Sequence, residues 1–344
     1  MNRYIINENA TIKDALVSLN MIAHDSLSLL VVNAYNQMVG SLTDGDIRRG
    51  LINGAQLDDV ISSIMHRDFK YIIKSEFDVA HLKEFRERRI LFTPILDENW
   101  HIVDVVNLRK FKSHLPIDAV LMAGGRGERL RPLTEKTPKP LLPVGGKCII
   151  DHNVDRLISY GIKHVSVTVN YLREQIEEHY KTPREGVQVR TFCEPRFLGT
   201  IGGIKFVDSF YNDTILVMNS DLFTNIDYED FFLHFQKYNA EMSVAAIPYN
   251  VSIPYGILDL DGREIKGLVE KPKYNYYANA GIYLIKKSAL EEIPDDTFFN
   301  ATDLIEKLIV KKKRVIRYPL NGTWIDIGNP QEYQKARDLV KHLN

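Results

Sequence analysis

The sequence predicts an α/β protein: a mostly parallel, mixed sheet covered by helices, preceded by a smaller α+β domain. Three observations carry this. From Ile117 onward, short apolar runs alternate with helical stretches, the pattern of a parallel sheet buried on both faces. Before that point one strand-and-helix pattern occurs twice, at a spacing of roughly 60 residues, and each copy leaves an apolar face needing a partner. The first apolar run of the larger part ends in a glycine-rich turn, and ligands of such sheets gather at the carboxyl ends of strands.

A chain of 344 residues has room for two domains. The apolar fraction of 44% and charged fraction of 26% are those of a soluble globular protein. A formal net charge of −1 gives no global field for nucleic acid or an anionic membrane, so neither is expected as a partner. Any anion must be gripped by local groups. The basic run Lys311–Arg314 follows an apolar helical stretch and reads as a solvated helix end. Cys148 and Cys193 offer neither a disulfide framework nor a metal spacing, and read as small core fillers. The early polar Asn7-Glu8-Asn9 interrupts any signal-peptide core. No stretch approaches the roughly 18 apolar residues of a membrane span. A cytoplasmic protein is expected.

The chain divides near Ser113-His114-Leu115-Pro116, giving domains over 1–113 and 117–344. In the first copy of the repeat, Ala10-Thr11 precedes a helix over Ile12–Ala23. Strands follow over Leu27–Val32 and Met38–Leu42, then a helix from Asp44. In the second, a helix over Val79–Arg88 leads to strands Ile90–Leu96 and Ile102–Val106. The larger domain is expected to place strands at Ile117–Met122, His164–Val169, Val187–Phe192, Thr214–Met218, Met242–Ile247 and Gly281–Ile285. Helices Ile149–Tyr160 and Leu172–His179 lie between them.

Gly40-Ser41-Leu42-Thr43-Asp44-Gly45-Asp46 resembles the Gly-x-x-Thr-x-x-Asp turn of cystathionine-β-synthase (CBS) repeats. The resemblance covers about the first 113 residues. It implies an α+β CBS pair in which Thr43 and Asp46 meet the phosphate and ribose of a regulatory adenine nucleotide, through a hydroxyl and a carboxylate. The plainer alternative is that this acidic turn caps a helix. Val103-Asp104-Val105-Val106-Asn107 lacks both the Gly and the Thr, so at most one such site is expected. A dimerising role without ligand is the other reading, and a homodimer or higher homo-oligomer is anticipated.

The segment Ala119–Thr134 runs from a strand into Gly124-Gly125-Arg126-Gly127, followed by Arg129 and by Thr137-Pro138-Lys139-Pro140. Glycines let backbone amides approach phosphate oxygens, and Arg129 with Lys139 adds cationic partners for the same anion. The turn lacks the Gly-Lys-Ser/Thr of a P-loop and the dinucleotide spacing. Gly-x-Gly-x-Arg-Leu-x-Pro-Leu-Thr with Pro-Lys-Pro-Leu-Leu-Pro-Val instead resembles the signature of the nucleotidyltransferases that make nucleotide sugars. The likeness extends over the rest of the chain and implies a Rossmann-like sheet of the nucleotide-diphospho-sugar transferase type.

That resemblance implies a nucleotide held by Leu121, Ala123, Gly124, Gly125, Gly127, Gly199 and Thr200, with Arg129, Lys139 and Lys271 as catalytic cations. Asp221, after the apolar run Ile215–Met218, and Asp326 in Trp324-Ile325-Asp326-Ile327-Gly328 would hold Mg²⁺, which takes few protein ligands and keeps waters. Glu270-Lys271-Pro272, Tyr255-Gly256 and Asn279 would meet the sugar phosphate, Glu270 accepting from hydroxyls and Lys271 facing phosphate. Glu194 falls where the base is read. A carboxylate there suits the adjacent donors of guanine, although a Glu before Pro is also an ordinary exposed loop residue.

The expectation is transfer of a nucleotidyl group from an NTP, GTP favoured, to a sugar 1-phosphate. Paired repeats ahead of a transferase resemble glucosamine-1-phosphate guanylyltransferases of legionaminic-acid-type pathways. The alternatives are uridylyl transfer to an N-acetylhexosamine 1-phosphate, or a nucleotide sensor with a silent transferase domain.

Overall fold

The computed structural model describes residues 2–341, which cluster into two compact units. One runs to Leu115 and takes in Ser159–Gly161; the other comprises Pro116–Ile158 and the chain from Ile162 onward.

The smaller unit repeats one plan. β1 (Ile5–Asn7) pairs parallel with β2 (Ser28–Val32), and β2 pairs antiparallel with β3 (Met38–Thr43). Between β1 and β2 runs α1 (Ile12–Ile22), and after β3 comes α2 (Asp44–Ile52). Ile12, Ala15, Leu19 and Ile22 fall on one helical stripe and bury against Leu29, Val31 and Leu42. The second copy repeats the pairing: β4 (Ile72–Ile73) parallel to β5 (Phe92–Leu96), and β5 antiparallel to β6 (Ile102–Asn107). α3 (Val79–Glu87) precedes β5, capped by Asp78. Turns, rather than a counterpart of α2, follow β6.

Both α1 and α2 open with the same capping box. Thr11 and Thr43 accept from the amides of Asp14 and Asp46, whose carboxylates accept from the threonine amides in return. Asp46 also accepts from Arg49 at 2.6 Å. Thr43 and Asp46 therefore hold the start of α2, as the matching residues Thr11 and Asp14 hold α1.

In the larger unit β7 (Asp118–Ala123) enters first. The two-residue strands β8 (Pro143–Val144) and β9 (Lys147–Cys148) pair in front of α4 (Ile149–Ser159). β10 (His164–Val169), α5 (Arg173–His179), β11 (Val189–Cys193) and β12 (Thr214–Asn219) follow. The central sheet continues with β14 (Met242–Ser252), β17 (Lys273–Lys286) and β18 (Val315–Pro319), in the order β11-β10-β7-β12-β17-β14-β18. Every pairing is parallel except those of β17, so the sheet is mixed and mostly parallel, as expected. Val120, Ile215, Val217 and Ile285 pack against Leu304 and Leu308 of α7 (Ala301–Val310).

Two small sheets complete the unit. β13 (Leu222–Thr224) pairs with β19 (Trp324–Asp326), and β15 (Ile257–Asp261) pairs with β16 (Glu264–Val269). α6 (Tyr228–Lys237) and α8 (Pro330–Lys341) are the remaining α-helices among the described residues. The strands expected at Met242–Ile247 and Gly281–Ile285 are longer than their apolar runs. Beyond the core they continue as a two-stranded ribbon of exposed tyrosines, among them Tyr249 and Tyr276, held by backbone pairing rather than burial. Lys311–Arg314 lies exposed just past α7, as expected. The two cysteines do not fill the core: both are partly exposed. No helix among the described residues is long and apolar enough to cross a membrane.

Candidate active site

A cleft of about 350 Å³ opens where β7, β11 and β12 end, and its walls include Ala123, Gly124, Gly125, Gly127, Arg129, Lys139, Glu194, Gly199, Thr200 and Asp221. Most of the residues singled out from sequence thus come together from segments far apart in the chain. Chain direction explains this: each parallel strand delivers its following loop to the same edge.

The glycine loop is shaped by its neighbours. Gly127 has φ +61°, and a Cβ there would lie 2.9 Å from Thr134 Cγ2. Thr134 Oγ1 donates to the Gly127 carbonyl at 2.8 Å. Behind it Leu130 belongs to an apolar cluster with Ile325, Ile327, Tyr333 and Ala336. That cluster fixes Arg129 and Asp326 together, because each is the immediate neighbour of a buried member. The Arg129 guanidinium lies close enough to Gly328 that a Cβ there would sit 2.9 Å from Nη2.

Asp221 and Asp326 meet through β13 and β19. Leu222 stands opposite Asp326 in the register, and the Ile327 amide donates to the Asp221 carbonyl at 3.1 Å. Buried Asn153 of α4 donates to the Leu222 carbonyl at 2.7 Å and so pins the turn. Burial and the neighbouring Asp221 charge push the Asp326 carboxyl above its ordinary value, while Lys139 and Arg129 oppose them. Lys139 Nζ, on a side chain only 10% exposed, forms an ion pair with Asp221. Two carboxylates brought to the same end of the β13–β19 pair make an oxygen donor pair of the kind a hard divalent cation takes. By that test the residues fit a divalent cation.

Glu194 is not the exposed loop residue that its position before Pro195 implied; it is 1% exposed. Its carboxylate accepts from the Leu198 amide at 3.1 Å. Gly124 and Gly203 close on it so tightly that a Cβ on either would lie 2.9 or 2.3 Å from Oε1. Burial pushes its carboxyl above the usual range, against hydrogen bonds from Leu198 and Thr168. Gly199, at φ +84°, backs onto the Phe299 carbonyl, and the Thr200 hydroxyl accepts from the Ala301 amide at 2.9 Å.

Several expected residues stand elsewhere. Leu121 does not line the cleft; its side chain is fully buried in β7. Tyr255, Gly256, Glu270 and Lys271 flank the exposed β15–β16 hairpin, where Gly256 faces the Glu270 carboxylate and Lys271 lies 3.9 Å from it. They do not line the cleft. Asn279 stands between: its side chain accepts from the Gly281 amide at 2.9 Å, and Gly281, at φ +69°, packs on the carboxamide of the cleft residue Asn219. The Trp324 indole donates to the Ala280 carbonyl at 2.9 Å, linking this strand to Asp326. Asn219, Glu128, Phe197 and Gly328 also line the cleft without having been singled out from sequence. Asn219 and Gly328, both within two residues of the acidic pair, carried that positional signal.

A glycine loop, a carboxylate pair and two cations at one end of a parallel sheet define an α/β protein built to handle phosphate groups. The chain belongs to the Nucleotidyl transferase family, whose profile matches residues 118–342; the CBS domain profile matches residues 1–53. It is 32% identical to a Sulfolobus acidocaldarius protein provisionally assigned as a mannose-1-phosphate guanyltransferase, over 64% of this chain and 62% of that one. It is 31% identical to the bifunctional protein GlmU of Methanocaldococcus jannaschii, over 65% of this chain and 54% of the relative. The chain thus spans little more than half the length of these relatives. A Bacillus anthracis crystal structure, provisionally assigned as a glucose-1-phosphate thymidylyltransferase, shares the fold with a TM-score of 0.53 at 24% identity. It covers 66% of this chain and 96% of that one.

Proposed function

We propose that the chain transfers a nucleotidyl group from GTP to a hexose 1-phosphate, giving a nucleotide sugar and pyrophosphate. The observation that carries this is the assembly of Arg129, Lys139, Asp221 and Asp326 in and around one cleft beneath the glycine loop. A sugar-phosphate oxygen attacks the α-phosphorus in line as pyrophosphate leaves. The nucleophile is already anionic at neutral pH, so no general base is needed. Positioning and charge neutralisation supply the catalysis. Lys139 holds the nucleotide phosphates, Arg129 faces the departing pyrophosphate, and the backbone of Gly124, Gly125 and Gly127 cradles the chain between them. Asp221 and Asp326 would hold Mg²⁺, which supplies further neutralisation of phosphate oxygens.

Guanine is favoured on the sequence position of Glu194, whose carboxylate is buried in the cleft wall and held by the Leu198 amide. The guanyltransferase assignment of the archaeal relative supports that choice. Glucosamine 1-phosphate is the favoured acceptor on the domain arrangement alone. Glu270, Lys271, Tyr255, Gly256 and Asn279 are proposed for its recognition, on sequence resemblance. We further place the protein in the cytoplasm, where nucleoside triphosphates are found, as a homo-oligomer whose first domain senses an adenine nucleotide. The test is a matrix of NTPs against sugar phosphates, glucosamine 1-phosphate and mannose 1-phosphate included, assayed by pyrophosphate release with and without AMP or ATP. GTP with a hexosamine phosphate is expected to give the fastest release; no release from any pair would overturn the proposal.

A further inference from the structure

Lys139 is expected to meet phosphate and Asp221 to meet a cation, yet in the structure they meet each other. The Lys139 ammonium is ion-paired with Asp221 Oδ2, on side chains 10% and 22% exposed. The same ammonium attracts Asp326, which Asp221 repels. The pair therefore joins the two halves of the site, and each ligand must compete with a partner already in place.

We infer that the Lys139–Asp221 pair is an internal competitor for both ligands, and that it makes divalent cation and polyphosphate bind cooperatively. A cation alone must displace the ammonium from Asp221 and leave Lys139, largely buried, beside a new positive charge. Phosphate alone must draw the ammonium away and leave Asp221 facing Asp326 with Arg129 as the remaining cation. Both costs are those of a poorly solvated charge deprived of its partner. When both ligands arrive, one ion pair is exchanged for two and neither charge is stranded. Such coupling is reciprocal and spans roughly 5–150-fold in affinity. This inference rests on the proposed transferase site.

The test reads binding, not turnover, on the full chain. Mn²⁺ alone is titrated by the electron paramagnetic resonance signal of the free ion, and inorganic tripolyphosphate by calorimetry in EDTA. Lys139→Met keeps the apolar stem and removes the competitor, so Mn²⁺ should bind about tenfold tighter or more. Arg129→Met removes an equal charge near the same carboxylates without touching the pair, and should tighten Mn²⁺ by no more than about threefold. Asp221→Asn should release Lys139 and tighten tripolyphosphate about tenfold. If Lys139→Met gains no more than Arg129→Met, or Asp221→Asn leaves tripolyphosphate affinity unchanged, the competitor role is overturned. The two arms use different variants, so a misfolded one leaves the other to decide. A wild-type chain that binds neither probe, singly or together, would overturn the transferase site itself.

Discussion

Gly203 stands so close to Glu194 that a Cβ built on it would lie 2.3 Å from the carboxylate oxygen and 2.5 Å from Cδ. The clearance leaves no room for a side chain, and the carboxylate is pressed instead toward the Leu198 amide. Gly203→Ala should therefore displace Glu194 and cost about 1–3 kcal/mol of stability, the usual penalty of overpacking. It should also erode discrimination between GTP and UTP. Urea unfolding and paired NTP assays check both; an alanine variant of unchanged stability would mean the contact relaxes freely.

The buried Glu194 carboxyl also makes stability depend on pH. Its folded value is raised above the ordinary 4.5, with burial the leading cause. A raised acid takes up its proton more readily in the folded chain, so folding is helped at low pH. That help is lost as pH rises through the folded value. Glu194→Gln removes the group's titration while keeping an acceptor for Leu198. The variant should gain stability over wild type at neutral pH, and the gap should narrow as pH falls toward the ordinary value. Urea midpoints across that range measure it, and a constant gap would show that Glu194 does not titrate differently on folding.

Asp326 is the final residue of β19, and its partner Asp221 is fixed by the Ile327 amide and Asn153. Asp326→Asn and Asp221→Ala should each lower pyrophosphate release by roughly 10²–10³-fold, the scale of losing one preorganised electrostatic group. Circular dichroism should stay that of the wild type. Near-normal turnover in either variant would remove that residue from the proposed metal pair.

Thr11 and Thr43 head α1 and α2 with identical boxes. Thr11→Ala and Thr43→Ala should each cost about 1 kcal/mol, the usual worth of an N-cap. If Thr43 also serves an adenine nucleotide, only Thr43→Ala should weaken AMP or ATP binding measured by calorimetry. Equal behaviour of the two variants in that assay would leave Thr43 a cap alone.

The features legible in the sequence share one property: each is marked locally. The apolar runs of β7, β10 and β12, the glycines of 124–127, and Asp221 at a strand end all announce themselves within a few residues. Asp326 and Lys139 were legible through the motifs around them. Burial of Glu194 was not, because it depends on Gly124 and Gly203, far apart in the chain, both closing on its carboxylate. Nor was the β14–β17 ribbon, whose outer half has exposed tyrosines in place of an apolar run. The β15–β16 hairpin did carry a signal in Asp261-Gly262, with Gly262 at φ +61°, but its leucines and isoleucines are exposed and mimic a core strand. Lys271 illustrates the remaining gap: a motif fixes residue identity, whereas its distance from the cleft is set by the whole ribbon.

The apolar cluster of Leu130, Ile325, Ile327, Tyr333 and Ala336 has a consequence for biosynthesis. It joins a loop made early in translation to β19 and α8, made nearly 200 residues later. The packing beneath Arg129 is therefore complete only once β19 and α8 have been made. Leu142, Val144 and Ile149 form the early part of that cluster, and α8 completes it. Changes that undock α8 would then reach the cleft through Leu130 and its neighbour Arg129.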